Sequence, residues 1–184
     1  MKYILLAVLA SGGVGTVLAQ SAVDQLQPLV EISAWRLIVA EQVALAKWDS
    51  GAAVEDAPRE AQVIMAAVKV GETKGLDRTS VSNFFKGQIE ANKIVQYSLL
   101  ADWRRTSGAP AHAPVNLVKT IRPELDQIQT GLVAELAHTK EVRSKTSCRV
   151  DVAKAIGKYV STHKRDSVPM LEITLDRALA GACT

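Results

Sequence analysis

Arg36 and Lys47 are two cations that lie eleven residues apart in a stretch otherwise rich in Val and Ala. At 3.6 residues per turn this spacing is about three turns, so both charges fall on one face of a helix. That face is otherwise apolar, since it also carries Val39, Ala40 and Val43. A cation on an apolar face loses hydration unless an anion meets it. The pattern therefore indicates a site for an anionic ligand.

A second interpretation needs no ligand. The stems of Arg36 and Lys47 could extend along the core and carry their charges to the surface. There they would pair with Glu31, Glu41 or Asp49. The spacing alone leaves both interpretations open.

More polar residues follow at regular positions. Asp56 can cap a helix whose first turn contains Pro58, which places Arg59 and Glu60 at that helix N-terminus. A later amide ladder repeats every four residues and so forms one helical stripe. An isolated stripe of this kind favours a solvated polar face, although apolar flanking residues also allow a buried one. The ladder consists of Gln88, Asn92 and Gln96.

The chemistry available to these residues is electrostatic. Cations and neutral amides with one carboxylate suit the binding of a small polyanion and the stabilisation of charge that develops during a reaction. They do not suit acid–base chemistry, and no Ser or Cys nucleophile with His and Asp companions is present. No metal site is expected, because the three histidines show no ligand spacing with the cysteines. The mature chain also contains no P-loop, dinucleotide fingerprint or calcium loop. The candidate residues are Arg36, Lys47, Arg59, Glu60, Asn92, Gln96 and Arg122.

The elements that must position these residues are helices. With 184 residues the chain predicts one domain, and aromatic residues make up only 4% while Ala, Val and Leu dominate. Apolar residues recur at helical spacing, which predicts an all-α bundle of about six helices. Helices are expected over 21–47, 56–70, 77–105 and 117–143, with two shorter ones between Cys148 and Cys183 that meet around 161–166.

Residues 1–19 have an early Lys, an apolar run and a small-residue ending, which is the pattern of a cleaved signal peptide. The mature domain is then 20–184, with three core helices in 20–105, a Pro- and Gly-rich loop at 106–116 and C-terminal helices in 117–184. We expect a periplasmic or secreted protein with no membrane contact after cleavage.

Cys148 and Cys183 are the only cysteines in the sequence. An even cysteine count in an exported chain predicts a disulfide between them, which would secure the C-terminus. The formal net charge is +3, and removal of Lys2 with the signal leaves +2. So small an excess, without a basic run, does not indicate a nucleic-acid partner.

The spaced residues resemble the all-helical chorismate mutases, and the signal peptide, long C-terminal extension and late cysteine pair are similar to their secreted (gamma) subclass. The resemblance rests on Arg36, on Lys47 eleven residues later and on Asp56 nine beyond that. It continues through Arg59 and Glu60 after Ala-Pro, the QIEANKIVQYS segment, the Asp-Trp pair at 102–103 and the IRPELD segment with Arg122.

The resemblance implies conversion of chorismate to prephenate without a cofactor, by a homodimer in which each chain builds its own pocket. Lys47 and Gln96 would donate to the ether oxygen, and Arg36 and Arg122 would clamp the two carboxylates. Of the remaining residues, Arg59 would add positive field, Glu60 would accept from the ring hydroxyl with help from backbone near Asp56, and Asn92 would bond a carboxylate.

Two departures from the family pattern concern Asn92 and Gln96. Some relatives have a carboxylic acid where Gln96 stands, and a small hydroxyl residue is frequent where Asn92 stands. Two alternatives fit the same scaffold: an isochorismate pyruvate-lyase and a non-catalytic periplasmic binding protein. Retention of every charged position of the pattern argues against the binding protein, and the export signal and cysteine pair favour the mutase over the lyase.

Overall fold

The computed structural model describes residues 20–163 and 168–184. In these ranges it contains helices and no strand, which confirms the all-α prediction. The predicted signal peptide and part of the predicted 161–166 turn lie outside the described residues. The α-helices are α1 (Ala22–Ser50), α2 (Ala57–Thr73), α3 (Arg78–Arg105), α4 (Arg122–His138), α5 (Lys140–Arg143), α6 (Cys148–Thr162) and α7 (Leu171–Leu179).

The long first helix, α1, is the centre of the bundle. The Ser21 side chain accepts from the backbone N–H of Asp24 and caps its start. Gly51 ends it in the left-handed conformation at φ 67°, which a residue without Cβ adopts without strain. Because α1 packs against α3, α4, α6 and α7, its side chains are buried on several faces.

The second helix begins as its sequence indicates. The Asp56 side chain accepts from the backbone N–H of Arg59, and Pro58 lies in the first turn. Helix α2 packs against α3 and α4. This packing directs the N-terminus of α2 toward the end of α1.

The predicted continuous helix over 117–143 is divided in three. Residues Leu117–Ile121 form one π-helical turn, in which the backbone N–H of Arg122 donates to the carbonyl of Leu117. Pro123 explains the widened turn, since it has no N–H and its ring clashes with the carbonyl four residues earlier. A second break at Thr139 separates α4 from the four-residue α5, which raises the number of α-helices above the six expected.

The C-terminal segment is covalently fastened. A disulfide joins Cys148 at the start of α6 to Cys183 beyond α7, as predicted. Helix α7 lies against α3 so closely that a Cβ on Gly87 would be 2.9 Å from the carbonyl oxygen of Arg177. The buried Gln88 donates to the Ser33 hydroxyl and thereby ties α3 to α1. In the described part of the chain, no helix combines the length and apolar character needed to cross a membrane.

Candidate active site

A cavity lies where α1, α2, α3 and the start of α4 meet. About 700 Å³ of unfilled space, a figure that includes open solvent at its mouth, lies between these helices. All eight candidate residues predicted from the sequence line it. Although Arg36 and Arg122 are far apart in the sequence, the fold brings both to this one cavity. Its apolar wall is formed by Val43, Val54, Val63, Ile89, Leu117 and Leu125.

Arg36 is buried at this cavity, with only 5% of its surface exposed. No ion pair joins it, or Lys47, to Glu31, Glu41 or Asp49 in the ranges that the structure describes. The predicted pairing of these two cations with Glu31, Glu41 or Asp49 is therefore wrong.

The guanidinium of Arg36 is also electrostatically costly. Burial lowers the pKa of Arg36 to about 10, an effect that Asp126 opposes and Arg59 reinforces. Its buried Nε–H has no hydrogen-bond partner within the described residues. A buried cation with an unused donor is suited to receive an anionic ligand.

Lys47 reaches the same cavity from the last turn of α1. Its Nζ donates to the carbonyl oxygen of Val54 at 2.6 Å. Burial lowers the pKa of Lys47, and the carboxylates of Asp56, Glu60 and Glu55 together oppose that effect. An ammonium group has three N–H donors, so two remain for a ligand.

The N-terminus of α2 supplies three more of the predicted residues. The backbone N–H of Asp56 donates to Glu60 Oε1 at 3.4 Å, which completes a reciprocal cap with the Asp56 side chain. Arg59 forms an ion pair of 3.0 Å with Asp126 of α4. Arg122 is at the first position of α4, and its Nη2 lies 3.9 Å from Asp56 Oδ2.

The amide ladder of α3 is buried, so the solvated face favoured for an isolated stripe is wrong. Asn92 Nδ2 donates to the carbonyl oxygen of Arg36, and Gln96 Nε2 donates to Asn92 Oδ1 at 2.6 Å. Gln96 Oε1 is buried without a partner among the described residues. The two amides thus form a fixed polar strip beside Arg36, whereas Gln88 serves the packing of α1 and α7.

Sequence reasoning missed three polar residues of the cavity. Lys93 follows Asn92 directly and lies among carboxylates, while Asp126 and Gln129 project from α4. Gln129 is one turn from Asp126 and is buried. The sequence could have indicated Asp126 and Gln129, because they continue the helical face of Arg122 at spacings of four and three residues.

The lining residues, all in the described part of the chain, include no Ser, Cys or His. The cavity therefore combines cations, amides and carboxylates with an apolar wall. Such an arrangement can hold a small anion with an apolar ring in one conformation and stabilise new negative charge.

Comparisons with known proteins agree with this chemistry. Residues 27–97 match the family model described as chorismate mutase type II. A protein named secreted chorismate mutase from Mycolicibacterium smegmatis is 32% identical over 164 residues, which are 88% of this chain and 90% of that protein.

Two solved structures are also similar. A chorismate mutase from Burkholderia phymatum superposes with a TM-score of 0.83 at 41% identity, covering 90% of this chain and 99% of that one. A chorismate mutase from Burkholderia thailandensis gives 0.81 at 32% identity, covering 86% and 99%. On this sequence and structural similarity, the chain belongs to the all-helical, type II chorismate mutase family.

Proposed function

We propose that this chain converts chorismate to prephenate in the cavity between α1, α2, α3 and α4. The observation that carries the proposal is the meeting of Arg36, Lys47, Gln96 and Arg122 at one cavity. These residues can bind two carboxylates and an oxygen that gains negative charge. The described residues that line this cavity include no Ser, Cys or His, and the reaction needs no nucleophile.

The reaction is an intramolecular rearrangement. One C–O bond breaks while one C–C bond forms, and every atom of chorismate remains in prephenate. No proton, electron or second reactant is transferred. The protein contributes by holding the flexible dianion in its compact reactive shape and by stabilising charge on the departing ether oxygen.

Lys47 and Gln96 are the proposed donors to that ether oxygen. Lys47 supplies most of the electrostatic stabilisation, because its charge acts inside a partly buried site where water screens little. The Gln96 amide is neutral and donates at any pH. Its contact with Asn92 fixes the orientation of the amide.

Arg36 and Arg122 are the proposed carboxylate ligands, since a guanidinium presents two parallel N–H groups to a carboxylate. Asn92 donates a hydrogen bond to the carboxylate that Arg36 holds. Asn92 lies beside Arg36, because its Nδ2 donates to the backbone carbonyl oxygen of that residue. Arg59 adds positive field from the other wall. These cations offset the charge of a substrate that carries two negative groups.

Glu60 is the proposed acceptor for the ring hydroxyl. Its Oε1 is held by the backbone N–H of Asp56, so the carboxylate enters the site in a fixed position. Asp56 contributes through the cap that fixes this end of α2.

We also propose that the protein works outside the cytoplasm, in the periplasm or as a secreted enzyme, and pairs as a homodimer. Several of its relatives are named secreted chorismate mutases. The Cys148–Cys183 disulfide supports an oxidising compartment.

The test is loss of chorismate absorbance with purified, oxidised residues 20–184 and no added metal or cofactor, with the product identified as prephenate. Lys47→Ala should reduce turnover at least ~10²-fold, the loss typical for removal of one charge-stabilising donor. Lys86→Ala, an exposed lysine of α3 away from the cavity, should not change it. Absence of prephenate from the folded wild-type protein would refute the proposal, and release of pyruvate from isochorismate would favour the lyase.

A further inference from the structure

Lys93 lines the substrate cavity, yet nothing in the reaction so far uses it. It follows Asn92 on α3, and its side chain is only 12% exposed. Three carboxylates surround its Nζ. They are Glu55 Oε2 at 2.8 Å, Glu90 Oε1 at 2.8 Å and Glu60 Oε2 at 3.5 Å.

The contacts of Lys93 leave it no capacity to bind substrate. An ammonium group has three N–H donors and no acceptor. Each of the three carboxylates occupies one direction around Nζ, so no N–H remains for chorismate. In this respect Lys93 differs from Lys47, whose Nζ donates to a single acceptor among the described residues, the Val54 carbonyl oxygen.

Each carboxylate oxygen of Glu60 accepts a hydrogen bond from a different group. The backbone N–H of Asp56 contacts its Oε1 at 3.4 Å, and Lys93 contacts its Oε2 at 3.5 Å. The two contacts restrain both oxygens of this carboxylate. The remaining lone pairs of its oxygens stay free to accept from a hydroxyl.

The same lysine joins α3 to the connection between α1 and α2. Glu55 lies in that connection and receives Lys93 on one oxygen and the hydroxyl of Tyr97 on the other, at 2.9 Å. Burial alone would lower the pKa of Lys93, but its bonds to Glu55 and Glu90 and the charge of Glu60 together raise it. Lys93 therefore stays charged at any working pH.

We propose that Lys93 is a positioning residue: its contact with Glu60 holds that carboxylate in place as the acceptor for the substrate hydroxyl, while its other contacts anchor the ammonium group to Glu55 and Glu90. This inference rests on the function proposed above. It assigns Lys93 to substrate orientation through Glu60 and not to direct contact with chorismate.

The first experiment compares Lys93→Met with Lys86→Met. Methionine keeps the length and apolar stem but removes the charge, and Lys86 is an exposed lysine on the same helix. Lys93→Met should lower kcat/KM roughly tenfold, as expected for a lost charge-assisted hydrogen bond. The loss should appear mainly as a higher KM, because the hydroxyl contact persists from ground state to transition state. Lys86→Met should leave both constants unchanged.

The second experiment measures whether Lys93 acts through Glu60. A double-mutant cycle compares kcat/KM of the wild type with that of three variants: Lys93→Met, Glu60→Gln and the double variant. If the lysine works by holding Glu60, the double variant should be no slower than Glu60→Gln alone. If the lysine attracts the dianion by its charge or supports only the fold, the two losses should multiply, and that result would overturn the inference.

Rescue by the conservative variant supplies a readout that a loss of side-chain packing would not move. Lys93→Arg keeps a cation beside Glu60, so it should recover most of the kcat/KM that Lys93→Met loses. An arginine variant as slow as the methionine variant would also overturn the inference.

Folding and function are separated by controls. Lys93→Gln provides a second neutral variant if Lys93→Met is unstable, and circular dichroism establishes that each protein is helical before assay. Inactive wild-type protein would refute the proposed mutase activity itself. Active wild-type protein with a multiplicative cycle would refute only the role of Lys93.

Discussion

The ammonium nitrogen of Lys47 donates to the carbonyl oxygen of Val54 at 2.6 Å, seven residues further along the chain. This bond connects the last turn of α1 to the segment that leads into α2. The proposed electrostatic donor is thus oriented by a backbone carbonyl. A substitution of the Val54 side chain does not remove that carbonyl. Two N–H groups of the amine remain for the ether oxygen and a carboxylate of the substrate.

Lys47 predicts an alkaline limit to activity. Burial lowers its pKa from the ordinary 10.5, and the ammonium form is the active one, so kcat/KM should fall as pH rises through that lowered value. Profiles between pH 7 and 11 report the free enzyme. Lys47→Arg, whose charge persists, should move the limb to higher pH in whatever activity it retains. A wild-type profile that stays level to pH 10.5 would contradict the assignment.

Gln96 predicts a flat profile through neutral pH, since an amide donates regardless of pH. In Gln96→Glu only the protonated acid can donate to the ether oxygen. Rates of that variant should therefore rise as pH falls from 8 to 5, while wild-type rates change little. If wild-type turnover itself rises steeply with acid, Gln96 does not have the proposed role.

Arg36 predicts a conflict between stability and activity. Its guanidinium is buried, and its Nε–H has no partner within residues 20–163 and 168–184. Replacement of a buried charge by an apolar residue is often neutral or stabilising, here by about 1 kcal/mol. Arg36→Met should keep or raise the free energy of unfolding yet lower kcat/KM at least ~10²-fold through loss of the carboxylate clamp. Urea unfolding and steady-state kinetics measure the two effects. A large loss of stability would show that Arg36 supports the fold.

The disulfide predicts stability without catalytic effect. Cys148 and Cys183 lie 35 residues apart, so the chain-entropy estimate for their loop is ~3 to 4 kcal/mol. A Cys148→Ser, Cys183→Ser double variant should lose about this much in urea unfolding. Its kcat/KM well below the melting temperature should match wild type, because neither cysteine lines the cavity. Equal stabilities of oxidised and reduced wild type would contradict the estimate.

Local patterns were sufficient to predict the helices and the polar residues that lie on them. The Arg36–Lys47 spacing places both cations on one face whatever packs there, and Asp56 with Pro58 marks the start of α2 by local chemistry alone. The disulfide followed from an even cysteine count and predicted export.

What the sequence could not supply depends on partners distant in the chain. Gln88 is buried because α7 covers it, and its second acceptor is the carbonyl of Ala178, ninety residues away. Lys93 has one helical neighbour among its carboxylates but takes Glu55 from a segment 38 residues earlier. The π turn at Leu117–Ile121 required the effect of Pro123 on the preceding turn, which periodicity of apolar residues does not register.

Arg122 meets the other proposed ligands within a single chain. All eight residues proposed for the site are therefore supplied by one chain. Turnover per chain should then remain constant as the protein is diluted below the concentration at which copies associate. An enzyme that enters a large volume becomes dilute. A site built by one chain keeps its rate there, whereas a site shared between two chains loses activity as the chains separate.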